Sequence, residues 1–119
     1  MSVLAIIENW EGEFKKTSFE VLHYGKRISN EIGQELIALT FGANNPERLE
    51  GYGASRIINV SNLKFETTTN NNLAKISAEL ITENEASHIV ISNTITGKTI
   101  APLLTSNLNC AQNAAGLCL

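Results

Sequence analysis

His88-Ile89-Val90-Ile91-Ser92-Asn93-Thr94-Ile95-Thr96-Gly97-Lys98-Thr99-Ile100-Ala101-Pro102-Leu103-Leu104 is the stretch on which the fold turns. Its first five residues are a short apolar, β-branched run of the kind a buried parallel strand requires. Asn93 to Thr99 reads as a polar turn ending in a glycine, a lysine and a Thr99 N-cap. The apolar spacing from Ile100 to Leu104 reads as the helix that follows. The bend between strand and helix carries hydroxyls, backbone donors and one ammonium. In open α/β sheets such bends, at the carboxyl ends of parallel strands, are where ligands bind.

Upstream, the same alternation repeats. Val3 to Ile7 is continuously apolar, as a central strand covered on both faces must be. Glu8 to Lys16 follows as a polar loop holding Trp10 and a turn glycine, Gly12. A helix is expected from Thr17, with Glu20 reaching back in a Thr-x-x-Glu capping box. Val21, Gly25, Ile28 and Ile32 fall on one face of it, and Gly33 supplies a left-handed stop. Gly25 in mid-helix costs about 1 kcal/mol relative to alanine, so close approach to a strand is its expected reason.

Glu35 to Phe41 reads as the second strand, and Asn45-Pro46 as the cap and first residue of a short helix ending by Gly51-Tyr52-Gly53. Arg56 to Val60 is the third strand. The Thr67 to Asn72 run is a loop or helix approach, and Leu73, Ile76 and Leu80, backed by Ser77 and Ile81, mark a third amphipathic helix. A last apolar segment, Ala114 to Leu119, reads as the beginning of a fifth strand. Strands separated by helices cannot be joined as hairpins, so the expected architecture is a three-layer α/β/α Rossmann-like sandwich with a mainly parallel sheet. A chain stopping at Gly116-Leu117-Cys118-Leu119 stops inside a strand, which suggests a piece of a longer protein.

Composition bounds the function. At 119 residues the chain is expected to form a single domain, and 43% hydrophobic with 18% charged residues argues against disorder. A net charge of −3 gives no strong pull toward nucleic acid or acidic lipid. No apolar run approaches the roughly 18 residues that span a bilayer, and no signal or transit peptide is visible, so a cytoplasmic location is expected. Cys110 and Cys118 match no zinc or redox spacing and read as free thiols.

Catalytic and metal candidates are thin. Gly97-Lys98-Thr99 invites a phosphate-loop reading, but that motif needs glycine where Ser92 stands. A weaker anion site remains open, built from the Gly97 and Lys98 amides with the Thr94 and Thr99 hydroxyls. No Gly-x-Gly-x-x-Gly follows the first strand, which excludes ordinary dinucleotide binding. His23 and His88 have no nucleophile to pair with and read as structural. Glu8, Glu11 and Glu13 read as a solvated loop, with no histidine or second acidic cluster to complete a metal site. Trp10 divides evenly between a core-edge residue and a partner contact.

Three passages carry a resemblance. They are Val3 to Glu8 with its polar loop and Gly12, Tyr52-Gly53-Ala54 leading into Ile57-Ile58-Asn59-Val60, and above all Thr94-x-x-Gly97-Lys98-x-x-Ala101-Pro102-x-Leu104. Together they resemble the N-terminal domain of the electron transfer flavoprotein alpha subunit, and the likeness runs over essentially the whole chain. It implies an adenine-nucleotide alpha-hydrolase-like variant of the sandwich, with residues 1–119 as the single N-terminal domain and the FAD-binding C-terminal domain absent. It also implies a scaffold and subunit-contact role without catalytic residues of its own, partnered by the beta subunit and by the missing FAD domain. The full heterodimer would carry electrons from acyl-CoA or related dehydrogenases to a quinone oxidoreductase through FAD. AMP would belong to the beta subunit alone. Asn107 to Asn113 departs from the family's passage into the last strand. Two rival readings are a stand-alone adenine-nucleotide-binding module using the Thr94 to Thr99 turn, and a small enzyme using the acids after the first strand.

Overall fold

The computed structural model describes residues 2–92, 94–108 and 117–118. Its core is a five-stranded sheet built from β1 (Ser2–Ile6), β4 (Glu35–Phe41), β5 (Arg56–Val60), β6 (Ala86–Ile91) and β7 (Leu117–Cys118). A small antiparallel hairpin, β2 (Asn9–Trp10) and β3 (Glu13–Phe14), stands apart from it. The helices are α1 (Lys16–Ile32), α2 (Asn70–Glu83) and α3 (Ile95–Leu108), with a 3-10 helix over Pro46–Tyr52.

Spatial order in the sheet is β5-β4-β1-β6-β7. The first three pairings are parallel, and β7 closes the edge antiparallel to β6, Val90 opposite Leu117 and Ile89 opposite Cys118. From β1 the chain steps through β4 to β5 on one side, then returns through α2 to place β6 on the other. The order therefore reverses between β1 and β6, and the crevice at their carboxyl ends is the switch point of the sheet.

β1 is central, so all five of its residues are buried and its two faces feed two cores. Val3, Ala5 and Ile7 meet Val21 and Leu22 of α1, with Leu36, Ala38 and Leu49. Leu4 and Ile6 meet Leu73, Ala74, Ala78 and Ile81 of α2 and Ile100, Ala101 and Leu104 of α3. Fully burying one such Leu or Ile contributes roughly 1.5–3 kcal/mol. This is the expected three-layer sandwich with a mainly parallel sheet.

The start of α1 differs from the Thr17 capping box. Thr17 is exposed, and Ser18 takes the role: its Oγ accepts the Lys15 N–H at 3.0 Å and donates to the Glu8 carbonyl. The hydroxyl one position later faces the sheet, so it can tie the helix to the end of β1. The buried face runs through Ser18, Val21, Leu22, Gly25 and Ser29, while Ile32 lies exposed at the helix end. Gly25 does allow close approach: a Cβ there would lie 3.0 Å from Leu36 Cδ1 and 3.6 Å from Ala5 Cβ. Gly33 takes the left-handed conformation at φ 67°.

The short helix after Asn45-Pro46 is 3-10, and the Asn45 side chain makes no capping bond; Pro46 does open it. Thr69 caps α2 by accepting the Asn72 N–H at 3.3 Å, so the polar run from Asn70 to Asn72 is the first turn of that helix. The larger difference lies in α3, which starts at Ile95 and not at Ile100. Thr94 caps it in place of Thr99, its Oγ1 accepting the Gly97 N–H at 3.1 Å. Residues 109–116, with Cys110 and most of the Asn107 to Asn113 passage, and the Cys118 side chain lie outside the described residues.

Candidate functional site

Three chain segments meet at the switch point. The carboxyl end of β1 delivers Glu8, and the turn after β6 delivers Ser92 and Thr94. Ser92 Oγ donates to Glu8 Oε2 at 2.6 Å, and the Thr94 hydroxyl points between both carboxylate oxygens, at 2.9 and 2.8 Å. The two hydroxyls lie 3.1 Å apart, but each has a single proton, and both protons go to the carboxylate. A partly buried carboxylate needs such charge-assisted donors, because it has given up water.

Behind this triad two amides at the start of α3 are already bonded. Gly97 donates to Thr94 Oγ1, and Lys98 donates its N–H to the Thr94 carbonyl at 2.8 Å. The two amides of the candidate anion site are thus spent within the helix, and the Thr94 hydroxyl is spent on Glu8. Lys98 and Thr99 are exposed side chains in the first turns of α3, not residues of a preceding loop. The turn expected over Asn93 to Thr99 is, from Ile95 on, the first turn of α3. A side chain at 97 would overlap the Ser92 carbonyl oxygen, so glycine is required there by contact and not by turn geometry.

The loop after β1 is more built than its polar composition suggests. Asn9 is 5% exposed, and its Nδ2 donates to Thr40 Oγ1 at 2.9 Å and to the Phe41 carbonyl at 2.8 Å. Its Oδ1 accepts the Gly12 N–H at 3.2 Å. One amide therefore fastens the β2–β3 turn to the end of β4. Glu11 and Gly12 form that turn with φ of 52° and 84°. Glu66 accepts the Glu11 N–H at 2.8 Å, and Asn44 donates its side-chain amide to the Glu11 carbonyl at 3.3 Å. Only the neighbours in space, not those in sequence, reveal Asn9 as a functional scaffold residue.

Trp10 stands on this fastened hairpin, 54% exposed, with Lys15 Nζ 5.6 Å from its ring centroid. It walls a cleft of about 410 Å³ that Glu8, Phe65, Glu66, Thr68 and Thr94 also line. His23 is exposed on α1, and His88 has Nδ1 3.0 Å from Ser87 Oγ on β6. Glu11 and Glu13 are exposed, and among the described residues no three His, Cys, Asp or Glu side chains converge as a metal site. The carboxylates of Glu8 and Glu66 share the cleft with one cation, Lys15, and the Gly97 and Lys98 amides at the start of α3 are already bonded to Thr94.

Sheet order, crossovers and crevice define a Rossmann-like α/β domain whose switch point is held by its own side chains. The chain belongs to the electron transfer flavoprotein domain family, which it matches over residues 3–115. It is 27% identical over 114 residues to Protein FixB of Clostridium saccharobutylicum, covering 94% of this chain and 34% of that protein. It is 26% identical over 115 residues to the electron transfer flavoprotein subunit alpha of Clostridium acetobutylicum, with 94% and 34% covered. It is also 26% identical over 110 residues to the acryloyl-CoA reductase electron transfer subunit beta of Anaerotignum propionicum, with 90% and 30% covered. The chain thus spans about a third of the length of these curated relatives. A crystal structure of a universal stress protein in complex with cAMP aligns at 16% identity and a TM-score of 0.46, covering 91% of this chain and 87% of that one.

Proposed function

We propose that this chain is the N-terminal scaffold and subunit-contact domain of an electron transfer flavoprotein alpha subunit. The observation that carries the reading is the family match across residues 3–115. The alpha assignment rests on the resemblance carried by Thr94-x-x-Gly97-Lys98-x-x-Ala101-Pro102-x-Leu104, since one relative is named a subunit alpha and another a subunit beta. The complete heterodimer would bind FAD through a further domain and carry electrons from acyl-CoA or related dehydrogenases to a quinone oxidoreductase, in the cytoplasm. In this reading the chain is no enzyme, and AMP belongs to the beta subunit.

The chain's own residues supply position. Trp10 is large, exposed and fixed by a hairpin with few free torsions, which is the profile of an interface anchor that loses little entropy on binding. Among the described residues no helix is long and apolar enough to cross a membrane. The test is co-elution of the purified chain with an electron transfer flavoprotein beta subunit on a sizing column. A stable complex, weakened at least tenfold by Trp10→Ala, is expected; separate elution at micromolar concentrations contradicts the reading.

A further inference from the structure

The Glu8 carboxylate occupies the place in the fold where an external anion would be expected. It lies at the switch point, where the starts of α1, α2 and α3 converge through Thr17, Asn70 and Thr94 on one cleft. Those starts carry the positive ends of three helix dipoles. Among the described residues the one ion pair, Arg56 with Glu35 at 2.9 Å, lies at the amino end of the sheet. The bonds that Glu8 accepts come from hydroxyls; the Lys15 ammonium lines the same cleft but stands over the Trp10 ring, 5.6 Å from its centroid.

We propose that Glu8 is an internal anion that fills the switch-point crevice and excludes phosphate-bearing ligands from it. The carboxylate accepts hydrogen bonds from the Ser92 and Thr94 hydroxyls, the Thr94 oxygen accepts the Gly97 N–H, and Gly97 packs against the Ser92 backbone. A phosphate entering here meets a negative charge and no free donor from these groups. This makes Glu8 the residue that decides what the crevice refuses. The inference concerns the crevice alone and does not rest on the electron-carrier reading.

Anion rescue tests it. The melting temperature of the 119-residue chain and of Glu8→Ala and Glu8→Ser is read in sodium phosphate, sodium formate and sodium chloride at equal ionic strength. Wild type should show no saturable binding of inorganic phosphate. Against the wild-type response to the same salts, both variants should gain roughly 4 °C in phosphate or formate over chloride. The gain should vanish when Thr94→Val is added. A variant unfolded in chloride should fold in phosphate. Saturable phosphate binding by the wild type, or variants that gain no more than the wild type does, overturns the proposal.

Discussion

Gly97 packs against the Ser92 backbone so closely that an alanine Cβ would overlap the Ser92 carbonyl oxygen. The contact joins the carboxyl end of β6 to the first turn of α3, and it holds Thr94 where it can cap the helix and bond Glu8. Glycine is otherwise a poor helix residue, worth about 1 kcal/mol less than alanine. The two effects oppose each other in Gly97→Ala, and the backbone clash wins. The variant should lose at least ~2 kcal/mol in urea unfolding. Gly25→Ala is the control: it meets the flexible end of Leu36 at 3.0 Å, and propensity offsets the crowding to within ~1 kcal/mol. A Gly97→Ala chain as stable as wild type would remove the contact from the account.

Asn9→Ala should destabilise the chain by ~2–4 kcal/mol. It strands the buried Thr40 hydroxyl, the Phe41 carbonyl and the Gly12 N–H together, and each orphaned group costs about 1–3 kcal/mol less what water recovers. Asn9→Asp keeps the shape but has no hydrogen to give the Phe41 carbonyl, so it should be no better. Trp10 is the sole tryptophan, and its fluorescence should report a loosened hairpin in both variants before global unfolding. Unchanged emission and an unchanged urea midpoint would show that Asn9 does not fasten the turn.

Ser77→Ala should raise stability by about 0.5–1.5 kcal/mol. Ser77 is 1% exposed on the core face of α2, and its Oγ has no hydrogen-bond partner among the described residues. Removing the hydroxyl ends that desolvation cost, and alanine is the better helix former. A lower melting temperature in Ser77→Ala would mean that the hydroxyl is satisfied in solution.

The strands were the legible part of the chain. Glu35 to Phe41 and Arg56 to Val60 coincide with β4 and β5 residue for residue: β4 is buried from Leu36 to Phe41 and reads as an apolar run, while β5, at the sheet edge, is marked by its β-branched Ile57, Ile58 and Val60. Gly25 and Gly33 were legible too, one as a close approach and the other as a left-handed stop. The site was not. Glu8, Asn9, Ser92 and Thr94 were visible as residues, but 84 positions separate Glu8 from Ser92, and only the sheet order brings them together. Asn9 looked like one more polar loop residue, since burial by β4 leaves no local mark. The start of α3 is not legible locally because Gly97 and the polar residues around it mimic a turn, while the partner that fixes Thr94, Glu8, follows β1. The two-residue strands of the hairpin are too short to show alternation at all.

The most direct test of the central claim is the ultraviolet-visible spectrum of the purified chain, taken alone and again after mixing with FAD, the beta subunit, and a separately expressed FAD-binding domain of the alpha subunit. The scaffold reading predicts a colourless chain that joins a yellow complex of defined mass. A flavin spectrum carried in stoichiometric amount by the chain alone would contradict it, and would turn attention to the cleft between Trp10 and Thr94.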